Sequence, residues 1–286
     1  MSEITVRRLS DALGCEILGA QISAHMSDAE FNTIEDALHE HLVVIVRDQK
    51  VSPGAFVAFA KRFGRPEPHV IDQFHHKADR NILILSNRKN EKGEPIGLAD
   101  GGTYFHSDYS YLDVPARCTL LYALEIPGDD AGTTFANQRQ AYEDLPESLK
   151  RKIDLLICRH YYGNRDDFDE ESRTAASKLT GEQKAKMHWV RHPLVRRHPY
   201  TGRKSLYSVS GTSFAIEGMD EREGRALLDE LKRHATQPKN CYQPQYRVGD
   251  IVVWDNCSVL HSAPLLDPNR PRTLWRITVK EKGPTI

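Results

Sequence analysis

The sequence predicts an α+β fold with a substantial sheet. Short apolar runs such as Leu42-Val43-Val44-Ile45-Val46, Ile82-Leu83-Ile84-Leu85 and Ile251-Val252-Val253-Trp254 have strand length. Capped amphipathic helices concentrate near the start and between the later strands. Many short strands framed by helices fit a double-sheet jelly roll, although spacing alone supports no more than α+β. At 286 residues, one domain spanning 1–286 is expected.

Residues 4–24 read as short strands broken by Gly14 and Gly19, a hairpin-like start. Ser27 and Glu30 form a capping-box pattern ahead of Phe31, Ile34, Leu38 and Leu42, so a helix is expected to end near His41. The run 42–46 then reads as a buried strand. Ser52 caps a second helix with Pro53 at its first position and Phe56, Phe59 and Phe63 on its apolar face; Gly64 ends it. Residues 65–104 are less regular, with His75 and His76 read as loop histidines. Residues 90–102, polar and Gly-rich, suit a mobile loop over an active site. Residues 116–123 read as a strand, and 137–157 as one or two helices interrupted by Pro146. The polar stretch 162–187 has no apolar period and reads as an insertion or lid. Asp220 caps a last helix with Glu223 at the box position and Leu227, Leu228 and Leu231 inside, after which strands return from 246 onward.

Composition narrows the partners. The net charge of -1 gives no reason to expect nucleic acid or an anionic membrane surface. No stretch of eighteen apolar residues suggests a membrane span, and residues 1–5 lack the pattern of a signal peptide. Five cysteines in odd number, without Cys-x-x-Cys spacing, indicate neither a disulfide framework nor a structural zinc site. A reducing cytoplasm is expected, and a homo-oligomer is left open.

The chemistry gathers around Thr103-Tyr104-Phe105-His106-Ser107-Asp108. In an extended segment His106 and Asp108 share a face and can meet one cation. His261, following an apolar strand, offers a third ligand. Two histidines and one carboxylate on one side of a metal leave other positions open, as in non-haem Fe(II) oxygenases. The same donors also suit an open zinc site, and a lone His-x-Asp is as readily a polar strand end. The run from Arg272 to Val279 adds weight. As a strand it puts Arg272, Leu274, Arg276 and Thr278 on one face and Thr273, Trp275, Ile277 and Val279 on the other. Unless the arginines point to solvent, each needs an anion, because a buried unpaired charge is unfavourable.

These residues resemble the taurine dioxygenase/2,4-dichlorophenoxyacetate dioxygenase family of Fe(II)- and 2-oxoglutarate-dependent enzymes. The resemblance rests on His106-x-Asp108, His261, Arg272 and Arg276 at their mutual spacings, and on Ala131-Gly132-Thr133-Thr134-Phe135, which is similar to the family's Gly-Gly-Asp-Thr. It runs from about residue 5 to about 280. Val248 to Asn256, Thr201 to Tyr207 and Arg233 to Thr236 are especially like the phenoxyacetate branch. The resemblance implies a double-stranded β-helix (jelly roll) core. It implies His106, Asp108 and His261 as ligands of Fe(II), with 2-oxoglutarate as cosubstrate and O2 as oxidant, releasing succinate and CO2. Arg272 is implied to pair with the far carboxylate of 2-oxoglutarate, and Thr134 to donate to it, with Thr133 beside it as the alternative. Related halogenases lack the carboxylate that Asp108 supplies, so hydroxylation is implied.

For the substrate, Arg276 and His69 match residues that contact an anion in the family. A small organic anion is therefore expected, an aryloxyalkanoate-like carboxylate ahead of an alkyl sulfonate or sulfate ester. Taurine itself is disfavoured, since Phe105 and Gly102 replace the family's Trp and Asn at those places. A non-catalytic metal- or acid-binding protein on the same fold is the reading of another class.

Overall fold

The computed structural model describes residues 4–99, 102–128, 132–162, 179–264 and 269–281. Strands β1 (Thr5–Arg8) and β2 (Cys15–Leu18) form an antiparallel hairpin. Helix α1 (Asp28–His41) begins at the expected capping box between Ser27 and Glu30. It ends on Leu42, a left-handed cap with φ 66°, so β3 (Val43–Val46) starts one residue after the apolar run does. Ser52 caps α2 (Pro53–Phe63), whose phenylalanines are buried. Then come β4 (Arg65–Pro66), β5 (His75–His76), β6 (Asp79–Ser86), β7 (Ala116–Glu125) and β8 (Thr134–Asn137). Pro146 separates α3 (Gln138–Glu143) from α4 (Glu147–Ile153), and β9 (Ile157–His160) follows. The next elements are α5 (Gly181–Ala185), β10 (Val190–Pro193), β11 (Val195–Arg197), β12 (Lys204–Leu206) and β13 (Ser213–Ile216). Asp220 caps α6 (Glu221–Ala235), and β14 (Cys241–Tyr242), β15 (Ile251–Asp255), β16 (Val259–Ser262) and β17 (Thr273–Lys280) complete the order.

The main sheet runs β1-β2-β3-β15-β7-β17-β6-β5, with β4 on β17, and is antiparallel except between β2 and β3. One face, including Val44, Val46, Leu120, Val253 and Ile277, packs on the phenylalanines of α1 and α2 and on Ile34 and Leu38. The other face, including Val43, Ile45, Leu121, Trp254 and Leu274, packs on Phe135 and Val259 of a second sheet, β14-β8-β16. Because both faces are covered, β3 and β15 are continuously apolar rather than alternating. β17 alternates as expected: Leu274 lies between the sheets, while Trp275, Ile277 and Val279 meet the helices.

Several segments differ from the sequence reading or add to it. His75 and His76 pair with β6, and the His76 ring sits 5.1 Å from Trp275, so they are not simple loop residues. The loop 90–102 is strapped to β6 at Leu98, whose N–H donates to the Ile84 carbonyl at 2.9 Å and whose carbonyl accepts the Ser86 N–H at 3.0 Å. Gly97 permits this approach, since a Cβ there would stand 2.8 Å from the Ile84 carbonyl. Within the expected lid 162–187, residues 163–178 lie outside the described residues. Its end is anchored, with Leu179 buried and Gln183 donating to the Val70 carbonyl at 2.8 Å and Asp72 at 3.0 Å. Finally, β10 to β12 carry buried His192, Arg196 and Ser205, a polar content that hides strands from hydrophobic periodicity.

A buried cation ties three main-sheet segments together. Arg47, 5% exposed, donates to Glu16 at 2.9 Å and to Asp250 at 2.6 Å. Removing one partner of such a network leaves uncompensated buried charge. Arg47→Leu is therefore expected to lower stability by roughly 3–5 kcal/mol in urea unfolding. A loss under about 1 kcal/mol would place the network outside the fold's essential supports.

Candidate active site

His106, Asp108 and His261 are brought together by a backbone bridge between His106, outside the strands described above, and His261 on β16. His106 and His261 form an isolated antiparallel bridge, exchanging N–H···O bonds of 3.0 and 2.9 Å. The chain then turns at Asp108, and Tyr109 takes φ 53°. The expected extended segment is thus a single bridge followed by a turn. The ligand atoms still converge: Asp108 Oδ1 is 3.6 Å from His106 Nε2 and 3.7 Å from His261 Nε2, and all three side-chain donors lie within 4.8 Å of one another.

The surroundings prepare these donors. His106 Nδ1 donates to the Tyr104 carbonyl at 2.8 Å, leaving its Nε2 lone pair free for a cation. His261 is held by its bridge and by Trp254, 4.7 Å away ring to ring. Burial and neighbouring His106 push its imidazole well down, so it is neutral, as a metal-ligating imidazole must be. Burial alone would raise the Asp108 carboxyl. Arg276, His261 and His106 outweigh it and hold the group well below the usual carboxylate range. Thr119 donates to Asp108 Oδ2 at 2.6 Å, and Asn256 binds Thr119 Oγ1 at 3.0 Å and the Asp108 N–H at 3.2 Å. Trp254 in turn donates to Asn256 at 3.1 Å. These orienting residues were missed as such in the sequence; only Trp254 and Asn256 were hinted at, by their place in the Trp254-Asp255-Asn256 stretch, and Thr119 was not.

A second cluster, His198, Asp255 and Cys257, has similar spacing but a different character. His198 Nδ1 accepts the Tyr200 and Thr201 N–H groups, so Nε2–H donates to Asp255 at 2.7 Å. Both ring nitrogens are occupied, which makes this a structural hydrogen-bond cluster.

Two cavities meet at the ligands. The first is lined by His106, His261, Trp254, Thr133, Arg272 and Arg276, among others. Arg272 is 7% exposed, its Nε has no hydrogen-bond partner, and no carboxylate among the described residues pairs with it. Burial pushes its guanidinium down to about 10, with only the Tyr246 phenol opposing, so it remains a cation at neutral pH. Thr133, not Thr134, faces this cavity. Phe135 is buried between the sheets beside His261, and alternation along β8 puts Thr133 on that face and Thr134 on the other.

The second cavity is lined by His69, Asp108 and Arg276 together with tyrosines. Arg276 Nη2 donates to Asp108 Oδ1 at 2.6 Å, while its Nε has no partner. His69 Nδ1 accepts the Ile71 N–H at 3.1 Å, which places the proton on Nε2 as a donor. Burial, reinforced by Arg276, pushes this imidazole down to about 3, so it stays neutral. Gly102, at φ 77°, packs on His106. A Cβ there would be 2.4 Å from the imidazole Cε1, so no side chain can reach a substrate amine from this position.

The donor set fits a divalent cation with open positions, and the unpaired Arg272 fits an anion beside it. Comparison with known proteins agrees. The profile of the family described as taurine catabolism dioxygenase TauD, TfdA family matches residues 5–278. An alpha-ketoglutarate-dependent 2,4-dichlorophenoxyacetate dioxygenase from Burkholderia sp. (strain RASC) is 32% identical, over 88% of this chain and 86% of that one. An alkylsulfatase from Acinetobacter baylyi (strain ATCC 33305 / BD413 / ADP1) is 30% identical over 97% and 85%. The crystal structure of AAD-2 in complex with Mn(II) and N-oxalylglycine superposes with a TM-score of 0.82 over the whole of both chains, at 29% identity.

If Thr119 orients Asp108 toward a cation, Thr119→Val should weaken Mn(II) binding about 10–100-fold by calorimetry while leaving the fold intact. Unchanged affinity would mean that Asp108 needs no such support.

Proposed function

Because the chain belongs to the taurine catabolism dioxygenase TauD, TfdA family, we propose that it hydroxylates a small organic anion, an aryloxyalkanoate-like carboxylate before others. It is a metal- and 2-oxoglutarate-dependent dioxygenase. The observation that carries the site reading is Arg272, a buried cation with no carboxylate partner among the described residues, at one wall of the cavity that His106 and His261 also line. A zinc hydrolase leaves that cation without a role, and a non-catalytic acid-binding protein is separated from the dioxygenase by turnover alone.

His106, Asp108 and His261 would hold the Fe(II), with the Asp108 geometry kept by Thr119 and Asn256. When bound, Fe(II) with 2-oxoglutarate and O2 supplies the oxidising power, and succinate and CO2 are released. Arg272 receives the far carboxylate of 2-oxoglutarate as a charge-assisted pair, and Thr133 is placed to donate to it. Arg276 and the Nε2–H of His69 receive the substrate's anionic group. The buried walls exclude water, so the substrate's C–H bond is presented in a dry, fixed position. The two facing sheets are read as a double-stranded β-helix formed by one domain over 1–286. Cys15, Cys118, Cys158, Cys241 and Cys257 are all free thiols, which fits a reducing cytoplasm.

A second reading, oxidation of a sulfate ester or sulfonate, is favoured by the extensive match to the alkylsulfatase. The Arg276–His69 end suits either anion. Gly102, closed against His106, argues against taurine, whose amine would need a partner there.

Substrate-stimulated succinate formation across a panel of aryloxyalkanoates, alkyl sulfonates and alkyl sulfates tests the proposal. Anions should stimulate turnover, and Arg276→Ala should reduce kcat/KM by about 10–150-fold, the loss of a charged hydrogen bond. Stimulation by neutral or cationic compounds alone, unaffected in Arg276→Ala, would refute the anion site.

A further inference from the structure

The anion end accounts for only part of the second cavity. Much of the remaining wall is tyrosine: Tyr104, Tyr109, Tyr111 and Tyr162. The rings come from separate places, Tyr104 before His106, Tyr109 and Tyr111 in the turn after Asp108, and Tyr162 after β9. Tyr111 and Tyr162 stack at 4.3 Å and 17°, and Tyr109 meets Tyr111 edge-on at 5.8 Å. Tyr104 stands 5.2 Å from the His106 ring.

Packing explains part of this wall and not the rest. The Tyr109 hydroxyl donates to the Glu67 carbonyl at 3.1 Å, so that ring is tied into the fold. Tyr109, Tyr111 and Tyr162 also back onto an apolar cluster with Ile71 and Leu83. Tyr104 is different: it lies outside that cluster and is only half-buried, with its ring at the cavity. Burial pushes all four phenols up, Tyr104 to about 12. All four are neutral near pH 7, and none competes with a substrate for Arg276. A cationic end beside neutral aromatic faces is complementary to a molecule with one anionic group and one flat ring.

We propose that the tyrosine wall is the specificity-determining surface of this site, and that it selects anions whose charged group is carried on an aromatic ring over saturated analogues of the same size. This deepens the dioxygenase reading and rests on it for the fate of the ligand, but not for its binding. Offset or edge-on ring contacts strengthen binding beyond what apolar burial gives, and they are unavailable to a saturated ring.

Phenoxyacetate and cyclohexyloxyacetate form a matched pair of equal charge and similar shape. Calorimetric titration of each into the protein loaded with Mn(II) and N-oxalylglycine reads binding without turnover. Phenoxyacetate should bind about tenfold more tightly, a ratio that ring contacts can supply. Tyr162→Leu and Tyr104→Leu should each bring the ratio toward one, whereas Tyr162→Phe should keep it. Circular dichroism checks folding, and Tyr104→Leu, at the less buried position, decides if Tyr162→Leu does not fold. Equal affinities in the wild type, no binding of either acid, or a ratio untouched by the leucine variants overturns the proposal. A preserved ratio without any succinate formation would instead overturn the dioxygenase reading alone.

Discussion

A buried guanidinium must meet an anion, and β17 with its leading residue presents two of them to the space between the sheets. Arg276 finds Asp108 at 2.6 Å. Arg272, four residues earlier, finds no carboxylate among the described residues. The remaining parts of the site are intelligible from that asymmetry. One arginine shares its acid with two histidine nitrogens 3.6 and 3.7 Å away, where a divalent cation would contest it. The other waits for an acid from outside. Reach matters too, since four residues of strand span roughly 13 Å, far enough for one arginine to serve a cosubstrate and the other a substrate.

The fold holds this arrangement by backbone and side-chain hydrogen bonds. The His106–His261 bridge fixes two candidate ligands, and the Trp254–Asn256–Thr119–Asp108 chain fixes the third. The bridge depends on β16, which pairs with β8 in the second sheet, and the hydrogen-bond chain on β15 and β7 lying side by side in the middle of the main sheet, where Trp254 pairs with Thr119 in register. Apolar packing on both faces of that sheet keeps the strands in place. Preorganisation of this kind lowers the ordering required when a ligand arrives.

Much of this was legible in the sequence. The helix caps at Ser27, Ser52 and Asp220 and the β17 alternation follow from local residue chemistry, while the His106/Asp108/His261 grouping comes from the family resemblance. Three things were not. Thr133 and Thr134 are adjacent and alike, and only the inward packing of Phe135 decides which faces the cavity. Strands β10 to β12 bury polar side chains, so their burial does not register as hydrophobicity. Thr119 sits in a uniformly buried strand, and its role depends on a hydrogen bond to a residue brought in by the fold. In each case the missing information is a tertiary contact rather than a propensity.

The role of Arg272 can be isolated with two keto acids that offer the same chelating end. 2-Oxoglutarate carries a second carboxylate for this cation, and pyruvate does not. Their affinities for the Mn(II)-loaded protein, measured without O2, should differ by about 2–5 kcal/mol in favour of 2-oxoglutarate, the range for leaving a buried charge unpaired. That gap should close in Arg272→Ala. Equal affinities of the two acids in the wild-type protein would contradict the assignment of Arg272.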